Sequence, residues 1–183
     1  MLDAFLRQNL ERYLEPVAAR LAGWRVRADA LTVSAFILTG VAAADIAHRQ
    51  FLWGLGFLVA ARLADSLDGA VARRTGPTVA GATLDIVLGL IATAVVPFAF
   101  ALAEPERALA AMFLMLGLVA QAGAGTVPSA APPLLLGRSE FFIVFAAACI
   151  FPQWFSLIAY IVGILCFLAA GRRVAKMFVS AGP

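Results

Sequence analysis

Charged residues are scarce in this chain. Asp, Glu, Lys and Arg make up 14% of its 183 residues, hydrophobic residues 63%, and the mean hydropathy is +0.94. Soluble domains carry about a quarter charged residues, so a water-soluble domain is excluded and an integral membrane protein is required. Histidine is nearly absent. The single His48 falls beside Arg49 at the far end of the first apolar stretch. With no metal partner nearby it reads as an interfacial polar anchor, Asp45 one turn earlier being its candidate partner. The only two cysteines, Cys149 and Cys166, lie in apolar runs, where a thiol behaves as a small hydrophobe, and neither a disulfide nor a metal ligand is assigned to them. An unbroken apolar leader is missing as well, so no cleavable signal peptide is expected. Instead Leu2, Phe5, Leu6, Leu10, Tyr13, Leu14 and Val17 recur at helical spacing among charges. Residues 1–22 therefore read as an amphipathic helix on the cytoplasmic surface, bent or broken at Pro16. Internal repeats, low-complexity tracts and a domain boundary are all lacking.

What the chain does have is apolar runs. They fall near 31–47, 51–72, 82–103, 107–128, 139–154 and 156–171, each close to the roughly 20 residues that cross a hydrocarbon core. The fold class is all-α, a polytopic membrane protein of six transmembrane helices preceded by the surface helix. A single domain is expected over 1–183: an amphipathic segment 1–27, a six-helix bundle 28–172 and a cytoplasmic tail 173–183.

Basic residues sort by side. Arg7, Arg12, Arg20, Arg25, Arg27, Arg73, Arg74, Arg138, Arg172, Arg173 and Lys176 lie at the ends or in alternate connections, whereas the other connections carry only Arg49 and Arg107. The positive-inside bias puts both termini and the 73–81 loop in the cytoplasm. The pI near 9.4 follows from these membrane-flanking positions and anionic lipid headgroups; no aromatic-basic module points to nucleic acid. Trp24, Trp53 and Trp154 fall at boundaries where indoles anchor, while Pro97 and Gly117 read as a bend and a packing notch.

Three carboxylates stand out against this background. Asp65 and Asp68, three residues apart near the cytoplasmic end of the second run, share a helix face, and Asp85 opens the next helix across a short loop. Ionisable groups at membrane depth are costly and mark functional sites. Either Arg62, Arg73 and Arg74 neutralise the nest as a salt-bridge cluster, or a hard divalent cation turns its repulsion into coordination. The cost of burying such a cluster favours the cation. Gly69 and Gly81 remove side chains from the two facing helices, which admits a close backbone or a flat ligand. Arg62, one turn before Asp65, either meets a donor phosphate or neutralises the nest.

The spacing Asp65-x-x-Asp68-Gly69-x-x-Ala72-Arg73, then Gly81-x-x-x-Asp85, resembles the signature of the CDP-alcohol phosphotransferase family, integral membrane enzymes of phospholipid synthesis. "RADALT" is similar to the family's segment before its first membrane helix, and "RSEFFIVFAAACIFPQWF" to its fifth helix. The resemblance implies a homodimer of the bacterial inner membrane with a cytoplasmic site and two Mg²⁺ or Mn²⁺ ions. Asp65, Asp68 and Asp85 are then metal ligands, and Asp29, Thr32, Asp65, Gly69, Ala72, Arg73 and Gly81 meet the CDP-linked donor. The implied reaction moves a substituted phosphate, phosphatidyl if the donor is CDP-diacylglycerol, onto an alcohol with release of CMP.

At one position the signature fails. The family carries a fourth aspartate as second-metal ligand and proposed general base, and here Gly89 occupies that place, one turn after Asp85. Three readings stay open: an enzyme whose base is Glu140 or a water, a protein that binds metal and CDP-lipid without efficient turnover, or a replacement in an otherwise active parent. Asp29 also stands where many relatives have asparagine, exchanging a donor-acceptor for an anion. The segment 121–140 offers few groups for a charged acceptor apart from Arg138.

Overall fold

The computed structural model describes residues 14–24, 26–76, 78–125 and 137–180. Every regular element among them is helical. Residues 14–23 form α1, followed by α2 (Ala28–Ala47), α3 (Phe51–Thr75), α4 (Val79–Ala103), α5 (Ala108–Gly125), α6 (Arg138–Ile150) and α7 (Phe155–Ser180). Short 3₁₀ turns at Pro105–Arg107 and Pro152–Trp154 precede α5 and α7.

The six apolar runs thus correspond to α2 through α7. Four of them are long and apolar enough to cross a membrane: Ala28–Ala47, Val79–Ala103, Pro105–Gly125 and Pro152–Phe178, the last two counted with their 3₁₀ turns. The other two differ from the simple expectation for physical reasons. α3 has 25 residues but carries Arg62, Asp65, Asp68, Arg73 and Arg74. α6 has only 13 residues, roughly 20 Å at the α-helical rise, because Phe151 and Pro152 end it early. The tail expected from 173 is instead helical to Ser180. Gly171 does not stop α7, and the Arg173 Nη2 donates to the Gly125 carbonyl at 3.4 Å, beside the electron-rich end of α5.

Of the surface helix expected over 1–22, residues 1–13 lie outside the described residues. The described part runs helically through Pro16, packs the fully buried Ala18 against Ala70 and Val71 of α3, and pairs Glu15 with Arg74.

α2 packs on α3 and α4, α5 on α7 and α4, and α3 on α6. Lipid is as apolar as leucine, so these contacts depend on close packing rather than on escape from water. Small residues supply it. A Cβ on Gly117 would lie 2.9 Å from the Gly163 carbonyl, and one on Gly163 would lie 2.7 Å from Phe113 Cδ1, so α5 and α7 meet through paired glycines. The end of the bundle away from the three aspartates is locked by rings: Phe100 stacks between Phe51 and Phe155 with centroid distances of 5.6 and 4.3 Å. There Arg49 Nε donates to the Ala103 carbonyl at 3.0 Å, and Arg107 donates to the Pro152 carbonyl. Both scarce basic residues of that face therefore satisfy chain carbonyls between helices. Pro97 is buried inside a continuous α4, and Cys149 and Cys166 are free thiols in the core. Asp45 Oδ2 is buried without a hydrogen-bond partner rather than joined to His48.

Gly117→Val should lower stability by about 1–3 kcal/mol through overpacking, whereas Gly123→Ala, whose Cβ meets nothing within 4 Å, should not. Thermal unfolding of the two variants in detergent checks this.

Candidate functional site

The site is built at one end of α2, α3, α4 and α6. α3 carries Asp65 and Asp68 in its last three turns and stops at Gly76, whose φ of +91° suits a residue without Cβ. Thr78 then caps α4, its Oγ1 accepting the Gly81 N–H at 3.0 Å. That turn reverses the chain so that Asp85, in the second turn of α4, comes back beside the α3 carboxylates.

One oxygen from each of Asp65, Asp68 and Asp85 lies within 4.8 Å of the others. This is an all-oxygen, anionic donor set of the kind hard divalent cations take, and the three residues fit such an ion. Asp68 is buried, 7% exposed, and its Oδ2 accepts the Thr32 hydroxyl at 2.8 Å. Arg62 Nη1 donates to Asp65 Oδ2 at 2.6 Å, and its Nη2 donates to Ser139 Oγ at 2.8 Å, tying α3 to α6.

Arg138 enters from the first turn of α6. Its Nη1 donates to Asp65 Oδ1 and Asp85 Oδ1, and its Nη2 to Asp85 Oδ2, all at 2.9 Å. A cation at a helix N-terminus opposes the helix dipole; the two carboxylates outweigh that. Arg62 and Arg138, rather than Arg73 and Arg74, are thus the cations that meet the nest. Arg74 is engaged by Glu15, and Arg73 lies exposed a turn beyond the nest.

Below the carboxylates a cavity of about 120 Å³ runs between the same four helices. Its polar mouth is formed by Arg62, Asp65, Asp85, Gly89 and Arg138 with Thr32, and its deeper wall by Leu58, Val96, Phe141, Phe142 and Phe145. The remaining expected residues divide from it. Asp29 pairs with Arg27 at 2.7 Å and sits against α4, where a Cβ on Gly81 would lie 2.7 Å from its Oδ1. Gly81 therefore leaves room for the Asp29 carboxylate and for the Thr78 hydroxyl, 2.9 Å from the same Cβ position. Among the described residues Gly69 faces its own Arg73 Nη1, 3.5 Å from where its Cβ would stand. Ala72 is half-buried one turn further on, and neither it, Gly69, Arg73 nor Gly81 lines the cavity. Glu140 is not in the cavity either. Its Oε2 accepts the Gly137 N–H at 2.9 Å and caps α6.

Sequence reasoning gave Arg138 no place in the nest and did not consider Ser139. No local pattern marks them, since Arg138 reaches partners 53 and 73 residues away in the chain.

A helical membrane bundle with an acidic, cation-fitting nest at one end defines the class of this protein. The chain belongs to the CDP-alcohol phosphotransferase family. It is 32% identical over 196 residues to inner membrane protein YnjF of Escherichia coli, covering 95% of this chain and 94% of that one. It is 35% identical over 97 residues to archaetidylinositol phosphate synthase of Methanothermobacter thermautotrophicus, covering 52% and 48% of the two chains. Its fold matches the crystal structure of Mycobacterium tuberculosis phosphatidylinositol phosphate synthase (PgsA1) with CDP-DAG bound, with a TM-score of 0.77 at 18% identity over 90% of this chain and 93% of that one. No protein-family model matches the chain.

Thr32→Val should leave the buried Asp68 carboxylate one donor short and cost about 1–3 kcal/mol. A lowered unfolding midpoint in detergent, with Thr39→Val as a control that breaks only a bond to its own helix at Ala35, checks it.

Proposed function

We propose that this protein transfers a substituted phosphate, phosphatidyl from CDP-diacylglycerol, to an alcohol acceptor with release of CMP, in phospholipid biosynthesis. The observation that carries the reading is the convergence of Asp65, Asp68 and Asp85, the first and last of which line a largely apolar cavity. The names of the archaeal relative and of the structural neighbour, whose bound ligand is CDP-DAG, support the choice of donor.

In this reading Asp65, Asp68 and Asp85 hold Mg²⁺ or Mn²⁺. A divalent cation held by these three carboxylates would supply positive charge to the donor diphosphate and to the departing CMP. The chain's own groups do the rest. Thr32 donates to Asp68 and holds its carboxylate in place. Arg62 fixes one oxygen of Asp65 between α3 and α6. Gly81 makes room for the Asp29 carboxylate at the start of α4, and Gly69, Ala72 and Arg73 shape the neighbouring nucleotide surface. The apolar wall of Leu58, Val96 and the α6 phenylalanines accepts hydrocarbon. With glycine at 89 and Glu140 capping its own helix, the proton of the acceptor hydroxyl leaves to water. A general base contributes about 10²–10⁴-fold, so turnover is slow beside relatives that keep a carboxylate at that position.

The reading also has six membrane crossings, α3 and α6 completing them with their polar faces turned to the site, in a homodimer of the bacterial inner membrane. Both chain ends and the nest face the cytoplasm. A second reading, binding of metal and CDP-lipid without efficient turnover, is favoured by Gly89 itself.

CMP release by protein purified in detergent, with CDP-diacylglycerol, Mg²⁺ or Mn²⁺ and a panel of alcohols, tests the proposal. Release is expected from the native chain and loss of it from Asp68→Ala. Metal-dependent CDP-lipid binding with no CMP formed would select the second reading. For the topology, a cysteine placed at Thr75 should be blocked by membrane-impermeant maleimide only in inverted vesicles, and one at Glu106 only in intact spheroplasts.

A further inference from the structure

Arg138 and Gly89 fit one another across two helices. A Cβ built on Gly89 would stand 3.2 Å from Arg138 Nη2 and 3.6 Å from Cζ, so the guanidinium lies directly over the glycine. From there it forks onto both oxygens of Asp85 and shares Nη1 with Asp65. This planar, bidentate geometry is one that arginine provides and lysine does not. A carboxylate at position 89 would meet that guanidinium.

We propose that the Arg138 guanidinium, admitted by Gly89, takes the place of a second divalent cation, so that each chain binds one exchangeable ion among Asp65, Asp68 and Asp85. The inference rests on the metal reading above and concerns how many ions that site takes.

Charge supports it. The three carboxylates are met by two fixed cations, Arg62 on Asp65 and Arg138 on Asp65 and Asp85, which leaves a single net negative charge. That balance suits one dication and disfavours two. Occupancy points the same way. Both oxygens of Asp65 and both of Asp85 already accept from guanidinium groups, whereas Asp68 Oδ2 accepts from a neutral hydroxyl. One ion seated on Asp68 can share the outer oxygens of its neighbours; a second on the Asp85 side would have to displace Arg138. Arginine stays protonated throughout the accessible pH range, so this cation is permanent. Its two roles follow: it holds α6 over the cavity mouth, and it presents positive charge toward the position of the diphosphate.

Mn²⁺ titration of the full-length protein in detergent with CDP present, counting free ion by EPR, tests this. The native chain should bind one Mn²⁺, and Asp68→Ala none. Gly89→Asp alone should still bind one, because Arg138 pairs with the new carboxylate. The double variant Gly89→Asp with Arg138→Ala, provided that it elutes as the native protein does, should bind two. Two ions in the native chain, or in Gly89→Asp with Arg138 present, would overturn the inference, as would one ion in the folded double variant. No ion at all in the native chain would remove the metal reading together with the inference, an outcome distinct from binding two.

Discussion

Mutual repulsion among three carboxylates near the end of an apolar bundle is the constraint around which this structure is arranged. Carboxylates so close in a poorly hydrated setting cannot stay ionised without compensation. Each compensating group comes from a different helix: Thr32 from α2, Arg62 from α3 and Arg138 from α6. The ion pairs therefore do more than neutralise. They tie α6, a helix of only 13 residues, to the α3–α4 hairpin and close one side of the cavity.

The two ends of the bundle follow opposite rules. At the far end, Phe51, Phe100 and Phe155 stack, and Arg49 and Arg107 hold interhelical carbonyls. At the other end charges are brought together, glycines stand in place of side chains, and space is left between helices. A rigid end opposite a polar, cavity-bearing end lets the bundle hold its charges in register without closing the space between its helices. The close α5–α7 packing through Gly117 and Gly163 stands apart from the site and anchors the bundle beside it.

Much of this was legible in the residues. The apolar runs located the helices to within a few residues, because a membrane imposes a minimum length and excludes exposed backbone polar groups. The pair Asp65 and Asp68 was legible because helical spacing alone places both on one face. Asp85 followed because a short loop can only return the chain beside them. Less legible were the ends. The length of α7 depended on Gly171 being tolerated within a helix that Arg173 ties to α5, and the shortness of α6 on where the chain breaks before Pro152. Glu140 looked available as a base, but a carboxylate at the third helical position is also well placed to cap its own helix, and that is where it lies.

By itself the sequence determined the membrane class, the helical architecture and the three clustered carboxylates, since each follows from local spacing and from the solvent the chain must face. Only the tertiary structure decided which cations meet those acids. Arg62, Arg73, Arg74 and Arg138 are equivalent in composition, and what separates them is the packing of α6 against α3 and the bare backbone at Gly89 that makes room for one guanidinium. Interactions that close across helices far apart in the chain leave no periodic trace, because their geometry exists only once the helices have packed.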